Sequence, residues 1–194
     1  MGIMVKVLVL PGSARRDSFN KKLAAVAAKL LTEAGAEVDL VDPANIRMPL
    51  FDQDLEDAEG LPAPAKVLKE KFLANDAILF VSPEYNSSIT PLMKNMIDWV
   101  SRSESDDEPS LAAYRGKVAG LLSASPGALG GLRGLVHLRS ILGNIGVTVT
   151  PKQFSLTGAS SKFADDGSLK DSGDVKSVKA VVEALVETAT KLKG

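Results

Sequence analysis

The chain has 194 residues, of which 45% are hydrophobic and 24% charged, and its formal net charge is −1. That length and apolar content suffice for one domain with a full core, so we expect a single domain over residues 1–194. The near-neutral charge and the acidic run at residues 104–108 disfavour nucleic acid as a partner. Since the chain has no cysteine, disulfides, thiolate metal ligands and cysteine nucleophiles are excluded, and we predict no metal site.

The apolar runs of this chain are short. None approaches the roughly 20 residues of a membrane span, and the N-terminal run enters a polar loop too soon for a secretory signal. We therefore expect a cytoplasmic protein with no membrane partner.

The first predicted elements are a buried strand, a polar loop and a helix. Val5 to Leu10 is an almost continuous aliphatic run, as expected of a strand buried on both faces of a parallel sheet. From Leu23 onward apolar residues recur at helical spacing, and Gly35 is expected to end the helix as a C-terminal cap. The loop between them carries Gly12, Ser13, Arg15, Ser18 and Asn20.

This polar loop is predicted to bind an anion. The N–H groups of a first helical turn lack intrahelical partners, and the helix dipole favours negative charge there by about 0.3–1 kcal/mol. The hydroxyls of Ser13 and Ser18, the Asn20 amide and the Arg15 guanidinium add donors that suit a phosphate dianion. The alternative is that Ser18 only caps the helix while the arginines are solvated. The spacing matches neither a P-loop nor a Rossmann motif, which disfavours those two classes.

The rest of the chain alternates strands with helices. Strands are predicted over residues 37–41, 77–81, 117–123 and 147–150, and helices over 64–73, 92–102, from about 132, and over 174–193. The 42–63 connection is predicted to be irregular, and it either folds over a ligand or is pinned to the core by Ile46, Leu50 and Phe51. The alternation predicts an α/β fold with a doubly wound parallel sheet, which binds ligands beyond the carboxyl ends of its strands.

Two details concern packing. In the 64–73 helix, Val67, Leu68 and Phe72 are expected to face inward. Residues 154–173, between the last strand and the last helix, are expected to form a polar tail.

Two further loops at strand ends carry distinctive motifs. Residues 83–102 read PEYNSSITPLMKNMIDWVSR, and residues 125–131 read SPGALGG. Together with GSARRDSFN at residues 12–20, they resemble the NADPH-dependent FMN reductase family of flavodoxin-like folds, and most closely its chromate and quinone reductase branch. The resemblance covers essentially the whole chain. It implies a flavodoxin-like five-stranded parallel sheet with helices on both faces, and FMN as the cofactor.

The resemblance also implies which residues hold FMN. The first loop is expected to bind the phosphate, the second to lie along the isoalloxazine ring, and the third to contact the flavin. Glu84 serves either as a ligand group or as an acceptor that bonds loop N–H groups and holds the turn, and the second interpretation is favoured. The predicted cofactor-binding residues are Ser13, Arg15, Ser18, Phe19, Asn20, Pro83, Glu84, Tyr85, Asn86, Ser87, Ser125 and Gly127.

The activity implied by the family is oxidation of NADPH or NADH, with two electrons passed to a small-molecule acceptor. The acceptors considered are quinones, free flavin, azo compounds and oxidised metal species such as chromate. Because the hydride chemistry belongs to the cofactor, no side chain is expected to act as acid or base. The apolar face of the 92–102 helix serves either the core or the homodimer or homotetramer interface that the family implies. That face consists of Met93, Met96, Ile97 and Val100.

Two other classes of protein stay open. A non-enzymatic flavodoxin-type electron carrier is disfavoured by the near-neutral charge and by Arg15 and Arg16 in the phosphate loop. A serine hydrolase with Ser123 or Ser125 as nucleophile and His137 as base lacks the Gly-x-Ser-x-Gly elbow. We expect His137, the only histidine, to pack or to make a structural hydrogen bond.

Overall fold

A computed structural model describes residues 4–193, and these residues are organised around a five-stranded parallel sheet. The strands are β1 (Lys6–Pro11), β2 (Glu37–Leu40), β3 (Ala77–Val81), β6 (Val118–Ala124) and β7 (Thr148–Leu156). Two short strands, β4 (Glu84–Tyr85) and β5 (Ser88–Ile89), form a separate antiparallel hairpin. The spatial order of the sheet is β2-β1-β3-β6-β7. This is the flavodoxin order, so the predicted fold is confirmed.

Helices cover both faces of the sheet. They are α1 (Phe19–Glu33), α2 (Gln53–Glu59), α3 (Ala63–Ala74), α4 (Pro91–Val100), α5 (Leu132–Asn144) and α6 (Ser172–Lys193). Successive strand residues point to opposite faces. In β1, Val7 and Val9 pack with α1 and α6, whereas Leu8 and Leu10 pack with α3, α4 and α5. No helix within residues 4–193 is long and apolar enough to cross a membrane.

The 42–63 connection is more ordered than predicted. It contains a 3₁₀ turn (Pro43–Asn45) and helix α2, whose N-terminus is capped by the Asp52 carboxylate accepting from the Asp54 N–H at 2.9 Å. Ile46 is buried and the Phe51 ring meets Trp99 edge-on at 5.0 Å, whereas Leu50 is exposed. The connection is therefore pinned to the core at Ile46 and Phe51 and not at Leu50.

Two other predicted details are wrong. Val67 faces solvent rather than the core, whereas Leu68 and Phe72 of α3 face the core as predicted. Strand β7 does not end at residue 150 but continues to Leu156, after a register shift opposite Ala119 and Leu121. Pro151 interrupts the strand pattern in the sequence, yet an edge strand accommodates a proline at an irregularity because one side of it is unpaired.

The apolar face of α4 belongs to the core. Met93, Met96, Ile97 and Val100 are almost completely buried within the chain itself, under β3 and β6. They are therefore not available to a subunit interface, and the interface interpretation of these four residues is wrong. A homodimer or homotetramer stays a prediction that rests on the family resemblance alone.

Candidate active site

A cleft of about 160 Å³ opens at the carboxyl ends of the central strands. Loops that follow β1, β3 and β6 form its walls. The fold therefore brings together the three loops that carry the sequence motifs, at the β1/β3 switch point where flavodoxin-like sheets bind their ligands. The lining residues are Ser13, Arg15, Ser18, Phe19, Asn20, Pro83, Glu84, Tyr85, Ala124, Ser125 and Pro126.

The volume is smaller than the roughly 300–1,000 Å³ of pockets that enclose drug-sized ligands. The cleft is therefore too small to enclose a whole ligand of that size. Among the predicted site residues, Asn86, Ser87 and Gly127 adjoin the cleft in sequence without being among its lining residues. Ala124 and Pro126 line it although the motifs did not single them out.

The predicted anion site lies at the N-terminus of α1. Ser18 is the N-cap, with its hydroxyl accepting from the Lys21 N–H at 3.4 Å, and the first turn holds no acidic residue. The Arg15 side chain is exposed and lines the cleft, with its guanidinium carbon 5.7 Å from the centre of the Phe19 ring. The helix dipole, the first-turn N–H groups and a guanidinium therefore face one space, which is the donor set that a phosphate needs.

Asn20 makes contacts that its sequence position did not reveal. Its side-chain amide donates to the Ala124 carbonyl at 2.8 Å and accepts from the Ala124 N–H at 2.9 Å. The residue is 4% exposed. Asn20 thus joins the start of α1 to the end of β6, and only its second amide hydrogen is left for a ligand. Its predicted contact with phosphate stays a prediction.

Close packing joins the first and second loops. A Cβ on Gly12 would lie 2.9 Å from the Met93 methyl carbon and 3.0 Å from Pro83 Cδ, so a larger residue would have to displace Met93 or Pro83. The Thr90 hydroxyl donates to the Gly12 carbonyl at 2.8 Å. The walls of the cleft are therefore fixed against each other before any ligand binds.

The second loop is a β-hairpin with a two-residue turn. Asn86 and Ser87 have φ values of 50° and 66°, the left-handed pair that a type I′ turn requires. On strand β4, Glu84 points to α5 and Tyr85 is 57% exposed at the cleft. The resulting arrangement presents one aromatic ring at the cleft mouth.

Glu84 anchors this hairpin to α5, whereas the sequence suggested that it bonds N–H groups of its own loop. Its carboxylate accepts from the Arg133 side chain at 2.7 Å and from the Gly134 N–H at 3.0 Å. Burial disfavours the charged form, but the Gly134 N–H and Arg133 outweigh it and hold the pKa of Glu84 below its ordinary value. Glu84 is therefore ionised at neutral pH.

The third loop is shaped by glycines. Gly130 and Gly131 have positive φ values, and a Cβ on Gly131 would lie 2.9 Å from Ser123 Cβ. The Ser125 hydroxyl accepts from the Gly127 N–H at 3.2 Å. Around Gly127 the only atom near an added Cβ is that hydroxyl, at 3.6 Å, so the backbone there is open to a ligand.

The candidate hydrolase residues are not arranged as a triad. His137 Nδ1 is 2.9 Å from the hydroxyl of Ser88. Ser123 is fully buried, and its hydroxyl bonds that of Ser155 at 2.9 Å. His137 thus makes a structural hydrogen bond with a different serine, and the geometry gives no support to hydrolysis.

Comparison with known proteins identifies the family. The family model described as NADPH-dependent FMN reductase matches residues 5–161. The chain belongs to this family. It is therefore an NAD(P)H-dependent oxidoreductase with FMN as its cofactor.

Similar proteins come from bacteria and plants. An NAD(P)H-dependent FMN reductase of Pseudomonas aeruginosa is 33% identical, with 98% of each chain covered. A quinone reductase of Escherichia coli K12 is 32% identical with both chains covered completely, and an NAD(P)H:quinone oxidoreductase of Solanum tuberosum is 35% identical over 98% of this chain and 96% of its own.

A solved structure has the same architecture. The flavoenzyme NAD(P)H:(acceptor) oxidoreductase of Paracoccus denitrificans superimposes with a TM-score of 0.82 at 29% identity, with 97% of this chain and 98% of that chain covered. An azoreductase of Bacillus anthracis matches with a TM-score of 0.61 at 20% identity, and this likeness shows the fold alone.

Proposed function

We propose that the protein is an NAD(P)H:quinone oxidoreductase that binds the phosphate of FMN in its first loop. The observation that carries this proposal is the shared cleft in which the exposed Arg15 guanidinium and the open N-terminus of α1 face the same space as Tyr85. An anion cradle next to an exposed ring suits a ligand with a phosphate at one end and a flat ring at the other.

The three loops are proposed to hold different parts of FMN. Arg15, the Ser13 hydroxyl and the first-turn N–H groups of α1 bind the phosphate, while the hairpin and the third loop flank the ring. When bound, FMN supplies the chemistry of accepting hydride and passing on two electrons. The chain supplies placement, because Glu84 is already ionised and engaged with α5 and so is no proton donor.

Quinones are the proposed acceptors. Full-length relatives at 32% and 35% identity are named quinone reductases, which supports this choice. Chromate and azo compounds as acceptors rest on the sequence resemblance alone. Free flavin is the second candidate, because the family model and the Pseudomonas relative are named for FMN reduction.

The acceptor proposal is tested by steady-state oxidation of NADPH and NADH by the FMN-loaded protein. A benzoquinone, free FMN, an azo dye and chromate are supplied in turn as acceptor. We expect kcat/KM to be highest for the quinone, by about tenfold or more, which corresponds to roughly 1.4 kcal/mol of transition-state stabilisation. A higher value for chromate or the azo dye contradicts the proposal, and absence of turnover with every acceptor favours an electron carrier.

The phosphate site is tested by titrating apoprotein with FMN and with riboflavin. Arg15→Ala is expected to weaken FMN about ten- to a hundredfold and to leave riboflavin nearly unchanged, because a charge-assisted hydrogen bond is worth about 1.5–3 kcal/mol. Arg16→Ala is the matched control, since it removes the same charge from a residue that does not line the cleft. Equal losses for the two flavins show that Arg15 does not meet the phosphate.

A further inference from the structure

A turn in the segment between β7 and α6 reaches back to the start of α1. Phe163 pairs with Leu169 across this turn, and the Lys170 N–H donates to the Lys162 carbonyl at 3.0 Å. Lys162 is itself tied to Asp174 of α6 at 2.7 Å. Leu169 is buried in the core. The part of the predicted polar tail that lies beyond β7 is therefore an anchored element, and Phe163 is its aromatic residue.

That aromatic residue stacks on Phe19, which is the first residue of α1. The Phe163 ring is parallel to the Phe19 ring within 6°, with 6.3 Å between their centres. The Arg15 guanidinium carbon lies over Phe19 at 5.7 Å, and the Lys22 ammonium lies over Phe163 at 5.9 Å. The two parallel rings thus each contact a cation, and one of these cations is the guanidinium that lines the cleft.

We propose that Phe163 is a positioning residue for phosphate binding, acting through Phe19 on Arg15. The proposal rests on the proposed function, since it takes the anion to be the FMN phosphate. Phe163 lies beyond residues 5–161 that match the family model, and it is not among the lining residues of the cleft. Its effect on a ligand is therefore indirect.

The physical reason is preorganisation. An exposed arginine has many rotamers, and holding one of them for a ligand lowers affinity unless the protein has already selected it. The face of an aromatic ring attracts a guanidinium. Phe19 is only partly buried, so its ring needs a packed neighbour to serve as that platform. Phe163 gives this support, because its own segment is fixed at Lys162 and Leu169.

The test is flavin binding by apoprotein, measured separately for FMN and riboflavin. Phe163→Ala is expected to weaken FMN about three- to tenfold, the range that corresponds to the loss of one aromatic pair. Riboflavin, which lacks the phosphate, is expected to stay within about twofold. Phe163→Leu keeps an apolar side chain of similar reach without a ring, and it is expected to lose as much FMN affinity as the alanine variant.

Two comparisons separate positioning from general loss of structure. Phe154→Ala removes another partly buried phenylalanine that packs against the same core cluster. Phe154 borders a different groove, beside Ser177 and Ala180. This variant is therefore expected to leave the ratio of FMN to riboflavin affinity unchanged. In the Arg15→Ala background, Phe163→Ala is expected to cost less than twofold more, because a residue that acts through Arg15 has nothing left to position.

Three results overturn the inference. They are an unchanged FMN affinity in both Phe163 variants, an equal loss for FMN and riboflavin, and a full additional loss in the Arg15→Ala background. Should the alanine variant not fold, the leucine variant carries the same measurements. Failure of the proposed function looks different, because wild-type apoprotein would then bind FMN no better than riboflavin.

Discussion

His137 stands on the exposed side of α5 and bonds the Ser88 hydroxyl, so it holds the hairpin rather than a reacting atom. We predict that His137→Gln keeps bound flavin and retains NAD(P)H-dependent quinone reduction within about tenfold, a loss below roughly 1.4 kcal/mol. The measurement is a quinone-reduction assay on folded, flavin-loaded variant. Ser88→Ala removes the same hydrogen bond from the other partner and is expected to give a matching small loss. A thousandfold decrease with flavin still bound would assign His137 a part in the chemistry.

For single residues, the sequence predicted the kind of site better than the contacts that each side chain makes. Hydroxyl, amide and guanidinium groups at a helix start were enough to predict an anion site, and Arg15 lines the cleft as that requires. Asn20 is instead engaged with Ala124, which is 104 residues away. A hydrogen bond between residues so far apart in the chain cannot be predicted from the local spacing of residue types. The same holds for Phe163, whose single ring in a polar stretch was the only signal available.

The β4–β5 hairpin is the element whose position depends most on charge. It has only two residue pairs, and hairpins of that size are marginal alone, so its anchor on α5 determines where Tyr85 lies. Glu84→Gln keeps the shape of the side chain and removes its charge. We predict that KM for the quinone rises about three- to tenfold while FMN affinity stays within about twofold, since the lost contact is a charge-assisted hydrogen bond away from the phosphate end.

Initial rates over a range of quinone concentrations, together with FMN titration, give both quantities. Arg133→Lys is the companion variant, because it keeps the positive charge but loses the two-pronged contact with Glu84. We expect an intermediate rise in KM. An unchanged KM in Glu84→Gln, or an equal loss of FMN affinity, contradicts the assignment of Glu84 to hairpin placement.

Among the larger elements, the sequence predicted those with strong periodicity and missed those shaped by tertiary contacts. Buried strands such as β3 have continuous apolar runs, and their limits agree with the prediction. Helix α2 is short and acidic, without a buried residue, so no apolar stripe marked it. The segment before it is held by side chains of α4, with Asn95 and Trp99 both donating to the Pro49 carbonyl. Such contacts are invisible in a local pattern.

For the whole molecule, a buried lysine links two distant segments. Lys69 of α3 is 1% exposed, and its ammonium donates to the Glu108 carboxylate at 2.6 Å and to the Arg102 carbonyl at 2.7 Å. Burial opposes ionisation of Glu108, but Lys69 and the Glu104 N–H outweigh it, so the pKa of Glu108 is lowered. The acidic run that argued against nucleic acid binding therefore supplies the carboxylates, Glu104 and Glu108, that pair with the buried Lys69 ammonium.

We predict that Glu108→Gln lowers the free energy of unfolding at pH 7 by about 2–3 kcal/mol. This is at or below the usual cost of breaking a buried pair, because Lys69 keeps the Arg102 carbonyl and has Glu104 at 3.7 Å. A carboxylate with a lowered folded-state pKa stabilises above its unfolded value of about 4.5. The difference between wild type and variant should therefore shrink as the pH falls below 4.5 and through the folded value.

Urea denaturation at pH 7 and at a series of lower pH values measures this difference. Glu183→Gln serves as the control, since its pair with Lys179 is exposed on both sides and is worth about 0.5 kcal/mol or less. A difference below about 0.5 kcal/mol at pH 7, or one that grows in acid, contradicts the role given to Glu108.

The bond between Asn20 and Ala124 also bears on how the protein is made. A ribosome adds about 5–20 residues each second, so the 104 residues that separate the two partners take roughly 5–20 s to synthesise. During that interval the helix start with the proposed phosphate site exists without the strand that fixes it, and Phe163, which stacks on Phe19, is synthesised later still. The nascent chain therefore completes its proposed cofactor site only after β6 has been synthesised, and FMN can act as a late stabiliser of the folded chain but not as an early template for it.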